Sequence, residues 1–141
     1  MLETLHAHFQ WTETTNSSDT VETFSASGTF TIVVDLGQRT AQGTGQGTLD
    51  DKVTGICTGE SNTDYTFTVG GGVNSLTGNL TLGFGLADPG SGSTTLTCPS
   101  GTSNHTFGFL PVYPIQVTLA DEYGTSVQGT SGNITYEITL A

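Results

Sequence analysis

The chain has 141 residues, a length typical of one domain, and no shift in composition or run of charge divides it. Its hydrophobic fraction of 33% is low, but threonine, serine and glycine rather than charged residues make up the difference, which excludes a disordered chain. The net charge of −11 repels phosphate backbones and anionic membrane surfaces. We therefore expect one domain over residues 1–141, without nucleic acid as a partner and without membrane insertion.

The first predicted element is a strand at residues 4–12. Its apolar residues recur at every second position, which is the period of a strand with one buried face. A polar tract at residues 13–20 separates this strand from the rest, so it is a candidate for detachment and addition to a neighbouring sheet as well as for pairing in its own. The residues that would enter alternate pockets of a partner are Leu5, Ala7, Phe9 and Trp11.

The clearest signal is a long strand at residues 24–36, where apolar residues occupy the even positions. The same period of two recurs several times, no window has a convincing helical period, and turns are expected where Gly, Asn, Pro and Asp cluster, including Gly70–Gly72. Further strands are predicted at residues 42–49, 53–58, 65–69, 80–86, 94–98, 106–109, 113–119 and 134–140.

The segment at residues 41–48 places Gly43, Gly45 and Gly47 on one face of a strand, together with Ala41. That face carries almost no side chains, so another group must approach it closely. Two interpretations stay open. In the first, a large aromatic residue of the same core covers the glycines, or the strand bends locally. In the second, the glycines line a groove that admits a ligand or another chain.

The two cysteines, Cys57 and Cys98, each lie in a strand-like stretch. We predict that they form a disulfide, since a chain rich in Thr, Ser and Asn is typical of extracellular proteins, where disulfides persist. The alternative is a pair of buried free thiols that pack as small hydrophobic side chains.

Three histidines are candidate zinc ligands. His6 and His8 lie two residues apart, so on a strand they project from one face, and His105 would supply a third imidazole. Three nitrogen ligands and an open coordination position suit a hydrolytic zinc ion. The alternative is that these histidines are ordinary polar residues on the solvent face of a strand.

Acidic residues offer candidate calcium ligands at Asp50-Asp51 and Asp121-Glu122. None of them matches the spacing of a known calcium loop, and acidic residues in turns often cap local backbone amides instead. Tyr123 follows the second pair in a predicted turn. A loop tyrosine beside Asp121 and Glu122 is the best sequence-level candidate for contact with a small ligand or a protein.

These patterns predict an all-β fold, with two antiparallel sheets packed as an immunoglobulin-like or jelly-roll sandwich, or alternatively a β-barrel. The leading functional hypothesis is a non-catalytic, extracellular or cell-surface structural or adhesion module that binds itself or another extracellular protein through strand edges. The alternatives are a carbohydrate-binding module, with a glycan as partner and Ca²⁺ as an aid, and a small zinc hydrolase. The leading hypothesis needs no cofactor.

Overall fold

A computed structural model of the protein describes residues 2–112, 116–119, 126–131 and 134–140, and these residues form ten strands. The alternation of apolar and polar residues explains their placement, because it gives each long strand one face to bury. The strands are β1 Leu2–Asn16, β2 Thr20–Asp35, β3 Thr40–Gly55, β4 Gly59–Val73, β5 Leu80–Phe84, β6 Ser91–Cys98, β7 Gly101–Gly108, β8 Gln116–Leu119, β9 Ser126–Ser131 and β10 Ile134–Leu140.

The described strands form two antiparallel sheets, which confirms the predicted all-β class. The large sheet has eight strands in the order β8-β5-β4-β3-β2-β1-β10-β9, and the small sheet consists of the hairpin β6-β7. The weak strand predicted at residues 42–49 and the first three residues of the one predicted at 53–58 both lie in β3, which ends at Gly55. One expected turn is wrong, because Gly70–Gly72 continue β4 and pair with both β3 and β5.

Of the two placements left open for the N-terminal strand, the structure shows pairing within its own sheet. β1 lies inside the large sheet and pairs with β2 over its whole length and with β10 over residues 7–13. Described strands of the same chain therefore occupy one edge of β1 completely and the central part of the other. The apolar residues proposed for a partner are all buried in the molecule's own core: Leu5, Ala7, Phe9 and Trp11.

The large sheet curls around an aromatic core on one face, here called the inner face. Phe9 on β1 and Phe67 on β4 have ring centroids 5.6 Å apart, although two strands lie between them. Three strand spacings in a flat sheet amount to about 14 Å. Phe30 and Phe84, on β2 and β5, meet in the same way at 5.4 Å. The sheet must therefore be strongly bent where these rings converge.

The glycine face of β3 is the inside of this bend. A Cβ atom added to Gly45 would lie 2.3 Å from Phe67 Cζ, and one added to Gly47 would lie 2.8 Å from the Tyr65 hydroxyl. Gly43 instead faces the backbone of β2, where its Cβ would meet the Thr31 carbonyl oxygen. Rings of the same core thus fill the space above Gly45 and Gly47, as in the first of the two interpretations.

Two elements cover the inner face. The small sheet packs on one end of it, through contacts between β6 and β4. The segment at residues 109–112 crosses the aromatic core, and the Pro111 carbonyl oxygen accepts hydrogen bonds from Trp11 Nε1 at 3.4 Å and from the Tyr65 hydroxyl at 2.5 Å. The only tryptophan and the buried tyrosine thereby satisfy their polar atoms on one carbonyl group.

Candidate functional site

The three predicted histidine ligands do not meet. His6 and His8 are exposed on the outer face of β1, whereas His105 lies on β7 and contacts Glu22 on β2. Thr31, the cross-strand partner of His6, is about 30 Å along β2 from Glu22 at about 3.3 Å per residue. The structure therefore does not bring the three imidazoles together, because His6 and His8 lie on the opposite face of the sheet from Glu22, the residue that His105 contacts, and far from it along the strands.

The structure brings His105 together with two carboxyl groups instead. Glu22 and Asp51 point from the inner faces of β2 and β3, near the end of the large sheet that the small sheet covers. One ligand atom from each of Glu22, Asp51 and His105 lies within 4.8 Å of the others. His105 Nε2 is 2.9 Å from Glu22 Oε2. These three residues, here called the inter-sheet cluster, are the described residues best placed to hold a metal ion.

Asp51 is held in this cluster from one side only. It is fully buried, and Thr94 Oγ1 on β6 donates a hydrogen bond to Asp51 Oδ2 at 2.6 Å. A hydroxyl group has one proton to donate, so Ser61 Oγ, 2.5 Å from Thr94 Oγ1, must donate to Thr94. Asp51 Oδ1 is buried without a hydrogen-bond partner, as is Glu22 Oε2 despite its close approach to His105. An orphaned buried carboxylate oxygen requires a proton or a cation.

The proximity of the two carboxyl groups changes the protonation of Glu22. The pKa of Glu22 is raised from 4.5 to about 7, first by burial and then by the neighbouring Asp51, while His105 opposes the shift. Neither basic residue of the sequence relieves the pair, since Arg39 and Lys52 are both exposed. At neutral pH the cluster thus retains part of a proton unless a cation replaces it.

The raised pKa predicts a pH dependence of stability. Because Glu22 has the higher pKa in the folded chain, its contribution to the free energy of unfolding is fully present below about pH 4.5 and is lost as the pH rises through about 7. We expect the decline in this window to be smaller in Glu22→Gln than in the wild type. Urea denaturation at several pH values, with EDTA present to keep the cluster free of cations, measures this. Glu3→Gln on β1 is the control, and identical slopes in all three proteins would contradict the shift.

The predicted disulfide is present. Cys57, which follows β3, is bonded to Cys98 at the end of β6, so the bond ties the small sheet to the large one. The backbone supports the same junction, because Thr58 and Thr97 exchange two hydrogen bonds at 3.0 and 2.8 Å. The remaining predicted contact residues, Asp121, Glu122 and Tyr123, lie outside the described residues.

The free edge of β7 is a second candidate site. The described part of the chain pairs β7 with β6 alone. Thr97 on β6 directs its N–H and C=O to Thr58, away from its cross-strand neighbour Thr102. Along two antiparallel strands, pairs whose backbone groups bond to each other alternate with pairs whose backbone groups point outwards. Thr102 belongs to an outward-pointing pair, so Thr102, Asn104 and Thr106 all direct their N–H and C=O groups away from β6. All three are exposed, so this edge offers a row of backbone donors and acceptors to solvent.

In the described part of the chain, every Phe, Tyr and Trp side chain is buried or half-buried. A groove of about 890 Å³ includes Trp11 and Tyr136 among polar residues such as Gln10 and Asn62. Trp11, however, is only 6% exposed and cannot present a ring face for stacking. The strand edge and the inter-sheet cluster are therefore the stronger sites.

Comparison of the chain with protein-family models, with curated proteins and with solved structures found no match. Among the described residues, no helix has the length and apolar character needed to cross a membrane.

Proposed function

We propose that this protein is a non-catalytic, extracellular structural module that associates through a strand edge, with a second copy of the chain as its partner. The observation that carries the proposal is the free edge of β7. Main-chain hydrogen bonds across such an edge supply affinity without a side-chain pocket. Two β7 edges placed antiparallel would form an isologous, twofold interface, which is the commonest arrangement in soluble oligomers.

The composition of β7 supports this role. Proteins that must stay monomeric protect their edge strands with Lys, Pro, bulges or inward-pointing charges. The sequence of β7, Gly101–Gly108, contains no Lys, Arg, Asp, Glu or Pro. Approach of two copies at this strand thus avoids direct contact between like charges, although each chain carries a net charge of −11. Added salt should screen the long-range repulsion and favour the association.

The disulfide supports the extracellular part of the proposal. Bonds between cysteines form and persist in oxidising compartments, and they are rare in the cytosol. The bond between Cys57 and Cys98 is therefore typical of a protein that works outside the cytoplasm or at the cell surface. The same bond anchors β6 and its partner β7, so the proposed interface would be presented on a braced hairpin.

Proline substitution at the outward-facing positions of β7 tests the edge. Asn104→Pro removes one outward N–H group and leaves the hydrogen bonds between β6 and β7 in place. We expect the wild type to exceed the monomer mass of 14.6 kDa in multi-angle light scattering, increasingly so with added salt, and Asn104→Pro to shift towards the monomer.

The matched control is Asn104→Ala. Both substitutions remove the hydrogen bond that Thr95 Oγ1 donates to Asn104 Oδ1, but alanine keeps the backbone N–H. We expect Asn104→Ala to associate as the wild type does, and Thr106→Pro against Thr106→Ala repeats the comparison one pair further along. A monomeric wild type at all protein and salt concentrations would refute self-association, and equal masses for Asn104→Pro and the wild type would refute the β7 edge.

A further inference from the structure

We propose that the inter-sheet cluster, Glu22, Asp51 and His105, is a binding site for one divalent transition-metal cation, and that Zn²⁺ suits its donors best. The cluster offers two carboxylate oxygens and one imidazole nitrogen within 4.8 Å of one another. Asp51 Oδ1 is fully buried and without a hydrogen-bond partner. This oxygen is the independent sign that a positively charged group belongs at the site.

The spacing of the donors fits a small ion. Zinc lies about 2.0–2.2 Å from nitrogen and oxygen ligands, so two donors on a tetrahedral ion are about 3.4 Å apart. The separation of 2.9 Å between His105 Nε2 and Glu22 Oε2 is close to this value.

Electrostatics favours a cation over a shared proton. Two carboxyl groups in one buried site cannot both ionise without compensation, and a single proton neutralises only one of them. No arginine or lysine side chain compensates the two carboxylates, because Arg39 and Lys52 are both exposed. A divalent cation would compensate both carboxylates at once.

The type of donor selects the ion. Calcium and magnesium take oxygen ligands in sets of six or more, whereas zinc accepts mixed nitrogen and oxygen sets of three or four. The Thr94 hydroxyl orients Asp51 by its hydrogen bond to Oδ2, as groups behind the ligands do in metal sites. Glu22 and His105 are 21% and 37% exposed and border a cleft of about 180 Å³, through which an ion could enter and a water molecule could complete the coordination.

The site would give the ion a structural role. Glu22 and Asp51 belong to the large sheet, while His105 and the supporting Thr94 belong to the small one. A bound ion would therefore cross-link the two sheets, as the disulfide does at the other side of the hairpin. This role does not require the β7 edge to associate, so the two proposals can fail separately.

Isothermal titration of the untagged, EDTA-treated protein with ZnCl₂ tests the site. We expect one equivalent of Zn²⁺ to bind, with affinity at least about tenfold lower in Glu22→Gln and in His105→Gln, by analogy with the loss seen when even supporting residues of metal sites are changed. The matched control is the double variant His6→Gln/His8→Gln, which removes the two exposed imidazoles and should bind as the wild type does. Titration with CaCl₂ should give at least tenfold weaker binding.

Thermal unfolding provides a second readout that does not depend on heat of binding. Zn²⁺ should raise the Tm of the wild type and of the His6→Gln/His8→Gln variant, and it should leave the Tm of His105→Gln unchanged. Circular dichroism verifies that each variant is folded. Absence of Zn²⁺ binding by the wild type would overturn the proposal. So would binding that persists in His105→Gln and disappears in His6→Gln/His8→Gln, because the exposed histidines would then be the ligands.

Discussion

Replacement of Gly45 by alanine should destabilise the protein by about 3 kcal/mol, the upper part of the range for overpacking a core. The added Cβ would lie 2.3 Å from Phe67 Cζ and 2.7 Å from Phe30 Cβ, distances that real Cβ atoms do not show. Phe67 cannot readily retreat, because its ring also packs against Phe9, Tyr65 and Phe84. The bend of the sheet must open instead. Urea denaturation followed by tryptophan fluorescence measures the loss.

The matched control for Gly45→Ala is Gly70→Ala on the neighbouring strand β4. A Cβ at Gly70 meets nothing within 4 Å, so we expect a change within about 0.5 kcal/mol. A double-mutant cycle then identifies the clashing ring. In a Phe67→Leu background the penalty of Gly45→Ala should shrink, since the shorter side chain ends before it reaches the new methyl group. Equal penalties for Gly45→Ala and Gly70→Ala would refute the view that Gly45 makes room for the aromatic core.

The sequence alone predicts the strands well because their signal is local. In β2, Ala26, Phe30, Ile32 and Val34 are buried, as their even positions predict. The prediction of a turn at Gly70–Gly72 was wrong for a physical reason. Gly71 is required where β5 approaches closely, since its Cβ would meet the Thr81 carbonyl oxygen. Glycine composition does not distinguish a tight turn from such a close approach of two strands.

The inter-sheet cluster shows what a period of two can and cannot predict. Asp51 has the parity of Leu49 and Val53, and Glu22 has that of Phe24, so the pattern already places both acids on buried faces. Their meeting depends on the pairing of Phe24 with Asp51, and the approach of His105 depends on how the small sheet packs. Neither the strand pairing nor the packing of the small sheet can be predicted from the alternation of apolar and polar residues along one strand. A charged residue at a buried position of a strand nevertheless indicates a site of this kind. The spacing of the histidines indicated a different site.

The N-terminal strand pairs within its own sheet, as one of the two interpretations has it, because a long polar tract need not be a linker. Residues 13–16 continue β1, and residues 20–23 begin β2 in register with them, so the polar tract forms the end of a long hairpin. Among the described strands, β7 is one that has a free edge, and its weak apolar pattern gave little indication of it. Whether a strand lies at the edge of a sheet depends on the order of the strands. The alternation of apolar and polar residues along one strand does not indicate that order.

Removal of the disulfide by Cys57→Ser/Cys98→Ser should lower the free energy of unfolding by about 4 kcal/mol, as the chain-entropy model gives for a loop of this size. The two cysteines are separated by 41 residues. The loss should also be local, since the other described contacts that hold β6 and β7 to the large sheet are confined to a small area. They are the Thr58–Thr97 bridge, the Thr94–Asp51 hydrogen bond, the His105–Glu22 and Phe107–Phe24 contacts, and the packing of β6 on β4.

Hydrogen exchange measured by mass spectrometry separates the two effects. In the serine variant, amides of β6 and β7 should exchange faster than those of β2 and β3, because the hairpin can open while the aromatic core stays folded. The wild type treated with reductant should match the variant, which controls for the serine side chains. If exchange accelerated equally in all strands, the bond would act only on the unfolded chain. The small sheet would then be held to the large one by the inter-sheet cluster and by side-chain packing.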